Sequence, residues 1–136
     1  MMRTLWAAVL ILGFASPAMA ENIIPEMLKT YEAAGASHFD AKAGSALWHK
    51  KYAAPENAES PKPRSCQACH GVDLTKWGAH IRTGKEIEPM ALSVNPKRFS
   101  EAKKMRKWFR RNCKWVMGRV CTAQEKGDIL TYLQQQ

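Results

Sequence analysis

The five residues Cys66-Gln67-Ala68-Cys69-His70 constrain this chain more than any other feature of its sequence. On one turn of a helix, positions i, i+3 and i+4 lie on the same face, so the two thiols and the imidazole project together. Cys-x-x-Cys-His is the signature of covalent haem attachment, in which two thioethers hold the porphyrin and the histidine binds the iron. The segment therefore predicts one haem c, attached through Cys66 and Cys69, with His70 as an axial ligand.

Two other chemistries use cysteines at this spacing. A redox-active dithiol would need the βαβ pattern of thioredoxin-like folds, which the flanking sequence lacks. A zinc site would need a second pair of ligands at zinc-like spacing, and the sequence offers none. Haem attachment is the interpretation that fits the segment and its surroundings.

The first twenty residues have the pattern of a secretory signal. Arg3 supplies a positive start, an apolar run extends from Leu5 to Phe14, and Ala18-Met19-Ala20 is a small-x-small cleavage site. The apolar run is about ten residues long, too short for a stable membrane anchor. We predict a cleaved signal peptide of residues 1–20, a single mature domain of residues 21–136, and a periplasmic location without stable membrane insertion. An uncleaved membrane tether is the alternative.

Basic residues outnumber acidic ones, with 21 Lys and Arg against 12 Asp and Glu and a formal net charge of +9. Such a balance suits nucleic acid, an anionic membrane or an acidic protein partner. Export argues against nucleic acid, and the sequence has no signature of a nucleic-acid-binding fold. Many of the cations lie between Lys97 and Lys114, where the only acid is Glu101. A solvated helix face and a docking face for an acidic partner both explain this run.

Helical periodicity and capping residues predict an all-α fold without strands. The first predicted helix extends from about Pro25 to Ala34, and the second from an N-cap at Asp40 to about Lys51. The third begins at Glu101 after a cap at Ser100 and ends at Met117. The last begins with a capping box of Thr122 and Glu125 and buries Ile129, Leu130 and Leu133. Residues 53–64 and most of residues 71–96 are predicted as loops.

The second axial ligand is harder to identify. Electron carriers use Met or His, and the candidates of these types are Met90, Met105, Met117, His38, His49 and His80. The third predicted helix also carries a stripe of Met105, Trp108, Phe109, Asn112 and Val116 at helical spacing. Asn112 lies within this stripe, where an unpaired carboxamide would cost about 1–3 kcal/mol. Its partner is then a backbone group, a water molecule or the iron.

Blocks along nearly the whole mature chain resemble the sphaeroides haem protein (SHP) family, which are class I c-type cytochromes that bind oxygen. The most specific block is Arg111-Asn112-Cys113 together with Gly118-Arg119-Val120-Cys121-Thr122. The others are Glu32-Ala33-Ala34, the segment from Cys66 to Gly71, Arg82-Thr83-Gly84-Lys85, Pro96 with Arg98-Phe99, Lys107-Trp108 and Glu125-Lys126.

The resemblance implies a class I cytochrome c-like helical fold around one covalent haem, with long irregular loops. In the family, the Asn immediately before the first cysteine of a disulfide pair is the axial ligand of the oxidised haem. Carried over to this sequence, Asn112 becomes the second ligand and Cys113 pairs with Cys121. The resemblance also implies a dihaem cytochrome c and a membrane cytochrome b as electron donors.

An asparagine ligand predicts a redox-dependent site. A carboxamide oxygen is a hard ligand that should hold ferric iron better than ferrous iron, so reduction would open the iron to O₂, NO or CO. The alternative is a plain electron carrier with a permanent Met or His ligand, for which Met90 and Met117 remain candidates. Catalytic reduction of oxygen or NO has the weakest support, because no acid–base groups are identified beside the open position.

Three further residues are candidates for the edge of the cofactor. His80, Arg82 and Lys85 follow the haem motif, and their side chains can pair with the haem propionates, which need partners where they are buried. Exposed charge on a loop is the alternative explanation for all three.

Overall fold

A computed structural model describes residues 22–54, 56, 58 and 62–136, so the predicted signal peptide lies outside the described residues. The described part contains helices α1 (Ile24–Ala33), α2 (Ala41–His49), α3 (Gln67–His70), α4 (Ala102–Met117) and α5 (Ala123–Leu133), with a two-stranded antiparallel sheet of β1 (Gly78–Ala79) and β2 (Glu86–Ile87). In this part of the chain, no helix is long and apolar enough to cross a membrane.

The all-α prediction is confirmed, with small corrections. The long helices begin and end within two residues of their predicted limits. The β1–β2 hairpin and a bridge between Tyr52 and Arg64 were not predicted, because such short extended pairs show no alternating pattern. The predicted cap of α4 is wrong: the Ser100 hydroxyl donates to the carbonyl of Lys97 at 2.9 Å, and Glu101 occupies the N-cap position without a side-chain cap.

The other two predicted caps are present. Asp40 accepts a hydrogen bond from the backbone N–H of Lys42 at 2.8 Å at the start of α2. At the start of α5, the Thr122 hydroxyl accepts from the N–H of Glu125 at 3.1 Å, and the Glu125 carboxylate accepts from the N–H of Thr122 at 2.9 Å. These bonds satisfy N–H groups that the first turn of each helix leaves without partners.

The core is built on the crossing of α2 and α5. A Cβ on Gly44 would overlap the carbonyl oxygen of Asp128, so only glycine permits this close approach of the two backbones. Trp48 and Leu130 are buried beside the crossing. The Asp128 carboxylate is also buried and accepts a hydrogen bond from the N–H of Asp40 at 2.9 Å, which ties α5 to the start of α2. Helix α1 packs against α5 from another side.

Helix α4 does not bury the whole of its predicted stripe. Met105 and Val116 are buried and Phe109 is half-buried, but Trp108 is 45% exposed and Asn112 is exposed. At about 100° per residue, Trp108 lies about 60° from Met105 at the edge of this face, whereas Asn112 lies only about 20° from Met105, so the exposure of Asn112 does not come from its position around the helix.

The disulfide between Cys113 and Cys121 is present and buried, with the two Cα atoms 5.6 Å apart. Between the two cysteines, α4 ends at Gly118, whose φ of 72° lies in the left-handed region that favours glycine. The N–H of Gly118 donates to the carbonyl of Lys114 at 3.1 Å. The disulfide therefore closes the turn that joins α4 to α5.

The capping box makes the stability of the protein depend on pH. The Arg119 guanidinium binds both oxygens of Glu125, and chiefly for this reason the pKa of Glu125 falls from 4.5 to about 2. Because the pKa is lower in the folded state, this contribution is full above about pH 4.5 and is lost as the pH falls toward 2. Glu125→Gln should lower the free energy of unfolding at pH 7 by about 0.5–1 kcal/mol, since solvent screens part of the interaction.

Denaturant unfolding at several pH values measures this effect. The difference between the wild type and Glu125→Gln should disappear at low pH. Glu101→Gln is the matched control, because Glu101 pairs only with exposed Lys104 at 3.6 Å, and this change should leave stability nearly unaltered. A constant difference between the wild type and Glu125→Gln over the whole pH range would contradict the assignment.

Candidate haem site

A single helical turn carries the three residues predicted to hold the haem. The carbonyl of Cys66 accepts hydrogen bonds from the N–H groups of Cys69 at 3.3 Å and His70 at 3.2 Å. The turn therefore places all three side chains on one side of α3, as the spacing of the motif predicts. Cys66 and Cys69 are not joined to each other by a disulfide.

Local bonds fix both ends of this turn. Buried Ser65 accepts from the N–H of Ala68 through its hydroxyl oxygen at 3.1 Å, which caps the turn at its start. Gly71, with a φ of 79°, ends the turn, and its N–H donates to the carbonyl of Gln67 at 2.8 Å. Ser65 was not among the predicted caps, although a serine immediately before the motif is a recognisable capping residue.

The β1–β2 hairpin presses on the same turn. A Cβ on Gly78 would overlap the carbonyl oxygen of Cys69 and lie 2.9 Å from the Cα of His70. Only glycine allows β1 to pack this closely, so the hairpin lies directly against the backbone of Cys69 and His70. Gly78 could not be predicted from the sequence, because its role depends on a contact between separate parts of the chain.

His70 lies in a largely buried environment, and its ring centroid is 5.1 Å from that of Trp48. Burial, together with the positive charge of Arg98, lowers the pKa of His70 from 6.5 to about 4. The imidazole is therefore neutral at physiological pH, which is the form that binds a metal. Within the described residues, its Nδ1 atom is buried without a hydrogen-bond partner.

The surroundings of the motif disfavour both a redox-active dithiol and a zinc site. Burial raises the pKa of its thiol from 9.0 to about 11, whereas a redox-active dithiol needs a lowered pKa to form the thiolate. The part of the chain that the structure describes has no group of three or more His, Cys, Asp or Glu residues arranged to hold a metal ion. The second pair of ligands that a zinc site would require is thus missing among these residues.

Several buried donors around the motif suit a cofactor with carboxylate groups. Among the described residues, the indole N–H of Trp48 and the hydroxyl of Tyr52 have no hydrogen-bond partner, and burial is the main reason why the pKa of Tyr52 is raised. The Arg98 side chain is only 21% exposed and lies close enough to His70 to lower its pKa. The vinyl groups of a haem c can react with the two thiols, its iron can bind the imidazole, and its propionates can accept hydrogen bonds from such donors. The residues present therefore fit this cofactor.

Arg98 was not predicted to have a role in the site, yet its side chain is largely buried near His70. Its Nε donates to the Met90 sulfur at 3.2 Å, and its guanidinium lies 3.5 Å from the largely exposed carboxylate of Glu88. Burial lowers the pKa of Arg98. A propionate would complete the pairing of this cation, since a buried charge is stabilised only by a close counter-charge.

The predicted propionate contacts lie together on the β1–β2 hairpin. His80 is half-buried, whereas Arg82 and Lys85 are exposed. The Nδ1 atom of His80 accepts from the N–H groups of Arg82 and Thr83, both at 3.3 Å, and the ring lies 5.5 Å from that of Trp115. Contact of these three residues with the propionates stays a prediction.

The second half of α4 is attached to the segment that leads into the haem motif. Arg64, two residues before Cys66, donates from its guanidinium to the carbonyl of Trp115 at 2.8 Å and stacks on the Trp115 ring at 4.2 Å. Asn112 lies three residues before Trp115 on the same side of α4. Its carboxamide is exposed and forms no hydrogen bond with the described residues.

The other candidates for the second ligand have different surroundings. Met90 is buried and its sulfur accepts the bond from Arg98, Met105 lies in the core, and the sulfur of Met117 lies 3.6 Å from that of Cys121. His38 and His49 are exposed.

The contact of Gly78 with α3 predicts a strong effect of a small substitution. Gly78→Ala should displace the Cys69–His70 backbone and destabilise the holoprotein by about 1–3 kcal/mol, because the added carbon meets backbone that cannot rotate away. Denaturant unfolding and the yield of covalent haem measure the effect. Ala79→Ser, at the exposed neighbouring position, is the control, and equal behaviour of both variants would contradict the proposed contact.

Comparison with known proteins gives concordant sequence and structural relatives. Residues 34–133 match a family described as a domain of unknown function, DUF1924. The chain is 42% identical over 120 residues to the cytochrome c-type protein SHP of Cereibacter sphaeroides, covering 88% of this chain and 89% of that protein. It is 33% identical over 90 residues to cytochrome c'' of Methylophilus methylotrophus, covering 66% of this chain and 60% of the relative.

Solved structures support the same relationship. The structure of oxidised SHP, an oxygen-binding cytochrome c, superposes with a TM-score of 0.73 at 41% identity, over 83% of this chain and 96% of that one. Crystalline oxidised cytochrome c'' superposes with a TM-score of 0.71 at 27% identity, over 83% and 94% of the two chains. The chain therefore belongs to the SHP family of helical c-type cytochromes and carries a single, covalently bound haem c.

Proposed function

We propose that this cytochrome works in the periplasm, exchanges electrons with partner cytochromes, and binds O₂, NO or CO at ferrous haem after Asn112 releases the iron. The observation that carries the proposal is the state of Asn112. Its carboxamide is exposed and forms no hydrogen bond with the described residues, on the side of α4 that Arg64 joins to the haem motif. A ligand that no other group holds is free to bind in one oxidation state and leave in the other.

The bound haem would supply an iron that accepts an electron and, when ferrous, takes up a diatomic gas. His70 provides a neutral imidazole to the iron, and the thioethers of Cys66 and Cys69 keep the cofactor in place. Asn112 provides a hard oxygen that prefers the ferric state. Arg98, Trp48 and Tyr52 supply the buried donors that suit the propionates.

The surroundings of Asn112 favour release by rotation of its side chain. The next residue, Cys113, is held by the disulfide to Cys121, and Trp115 is bound to Arg64. Both contacts fix the backbone of α4 near the ligand. The carboxamide therefore moves by changing its own torsion angles, and the helix need not shift.

The relatives support a ligand that detaches. The solved structure of SHP is of an oxygen-binding cytochrome c, and a solution structure of cytochrome c'' concerns the structural basis of haem-ligand detachment. The second of these superposes on this chain with a TM-score of 0.69. We extend both properties to this chain as part of the proposal.

The second candidate function is a plain electron carrier with a permanent ligand. One observation favours it: the half-buried ring of His80 packs near Trp115, on the same side of α4 as Asn112. A methionine ligand has less support, because the Met90 sulfur is bound to Arg98 and the Met117 sulfur contacts the disulfide.

A dihaem cytochrome c and a membrane cytochrome b are the proposed electron donors. Reduction by either would release Asn112 and thereby link electron arrival to gas binding. Turnover of the bound gas is not part of the proposal, since no acid–base residue has been identified beside Asn112.

The substitution Asn112→Ala tests the ligand directly. We expect the ferric absorption spectrum to change, because the iron loses its oxygen ligand, while the reduced protein still binds CO. Asn112→His should close the reduced site. CO should bind to this variant at least about tenfold more slowly than to the wild type, because imidazole also binds ferrous iron. Absorption spectra of both oxidation states, with and without CO, provide the measurement.

Two controls separate the alternatives. His80→Ala and Met117→Leu should leave the ferric spectrum unchanged if Asn112 is the ligand. An unchanged spectrum in Asn112→Ala, or a reduced wild-type protein that does not bind CO, would overturn the proposal. A change in His80→Ala or Met117→Leu alone would support the electron carrier instead.

A further inference from the structure

A groove of about 360 Å³ lies on the surface between α1, α4 and α5. Tyr31, Phe109, Val120 and Cys121 line it with apolar surface. Val120 is 53% exposed at its edge, whereas Tyr31 and Cys121 are buried beneath it. The groove therefore offers a recess in which an apolar side chain can be enclosed.

Three cations surround this apolar floor: Arg106, Arg110 and Lys126. Arg106 and Arg110 are exposed, and neither takes part in the ion pairs formed by the described residues. The Lys126 ammonium lies 5.6 Å from the centre of the Tyr31 ring, so it too stands at the margin of the recess. The rim carries positive charge that the described part of the protein does not neutralise.

The charge extends beyond the groove along the whole of α4. This helix contains seven Lys and Arg and no Asp or Glu. The one ion pair formed by a cation of α4 within the described residues joins Lys104 to Glu101 at 3.6 Å, and both side chains are exposed. A surface of this kind attracts acidic macromolecules at long range and raises their rate of encounter.

The charged rim of the groove points away from the proposed ligand. At about 100° per residue, Arg106 and Arg110 point about 120–180° away from Asn112 and Trp115. Phe109 on the floor of the groove is nearer, about 60° from Asn112. Binding at the cationic rim can therefore be measured whichever residue binds the iron.

We propose that this groove is the docking site of an acidic protein partner, which inserts an apolar side chain flanked by carboxylates. The apolar floor and the unneutralised rim together match that chemistry. A second copy of this chain fits poorly, because each carries a formal charge of +9. An anionic membrane fits less well, because the floor is recessed and a membrane surface is broad.

Fluorescence anisotropy with two labelled peptides and the full haem-loaded protein tests the proposal. One peptide is Glu-Glu-Glu-Phe-Glu-Glu-Glu, and the other has Ser in place of Phe. The Phe peptide should bind several-fold more tightly, because only its ring fills the recess, and added salt should weaken both. Equal affinity of the two peptides would overturn the proposal, because charge alone would then account for binding.

Matched charge reversals locate the site. Arg106→Glu with Arg110→Glu should weaken binding of the Phe peptide by about tenfold more than Lys103→Glu with Lys107→Glu, since both pairs change the net charge equally but only the first borders the groove. Circular dichroism and the haem spectrum check that both variants are folded. Equal losses in the two variants would overturn the proposal.

Vesicles of phosphatidylglycerol provide the last comparison. The wild type should bind the Phe peptide with clear saturation, and the Arg106/Arg110 and Lys103/Lys107 variants should lose vesicle binding equally, because they have the same net charge. A larger loss of vesicle binding in the Arg106/Arg110 variant, together with no binding of the peptide, would overturn the proposal and identify a membrane surface instead.

Discussion

Trp48 connects the helix crossing at the centre of the fold to the predicted iron ligand. Gly44, one turn earlier on α2, brings α2 into backbone contact with α5. The Trp48 ring then packs 6.2 Å from the ring of Tyr132 on α5 and 5.1 Å from that of His70. The position of the imidazole therefore depends on how closely the two helices approach. A larger residue at position 44 would move the wall against which His70 rests.

Burial gives the site its chemical character. It keeps the His70 imidazole neutral and the Cys66 thiol protonated, and it leaves donors such as the Trp48 indole without protein partners. In an ordinary hydrophobic core each of these buried polar groups would destabilise the folded state, because a buried polar group needs a hydrogen-bond partner. A covalent haem would remove this destabilisation, because thioether formation would consume the thiols and the iron and propionates would be partners for the imidazole and the donors. The cofactor is in this sense part of the core.

Helix α4 carries two sets of residues that point in different directions. Trp115, on the side of Asn112, contacts Arg64 just before the haem motif, whereas Arg106 and Arg110 border the cationic groove. The disulfide from Cys113 to Cys121 fixes the end of the helix relative to α5. Because both sets belong to one rigid element, a partner in the groove and a ligand at the iron would act on the same helix without competing for space.

Features that depend on neighbouring residues could be predicted from the sequence. The spacing of Cys66, Cys69 and His70 sets their common face within a single helical turn, and the caps at Asp40 and Thr122 are formed by bonds across two or three residues. The helical stripe of α4 already made the iron one of three possible partners of Asn112. Resemblance to known cytochromes then selected the iron and supplied the pairing of Cys113 with Cys121. The cap expected from Ser100 was wrong because its hydroxyl turns back to Lys97.

The remaining features required the tertiary structure, because they join residues far apart in the chain. The approach of Gly78 to Cys69, the proximity of Arg98 to His70, and the attachment of Arg64 to Trp115 have no periodicity or spacing that identifies them. The sequence by itself predicted which residues attach the haem and determined that they share one turn of helix, since that arrangement depends only on neighbouring residues. Only the tertiary structure decided what surrounds the haem, since packing between distant segments sets burial, charge and access.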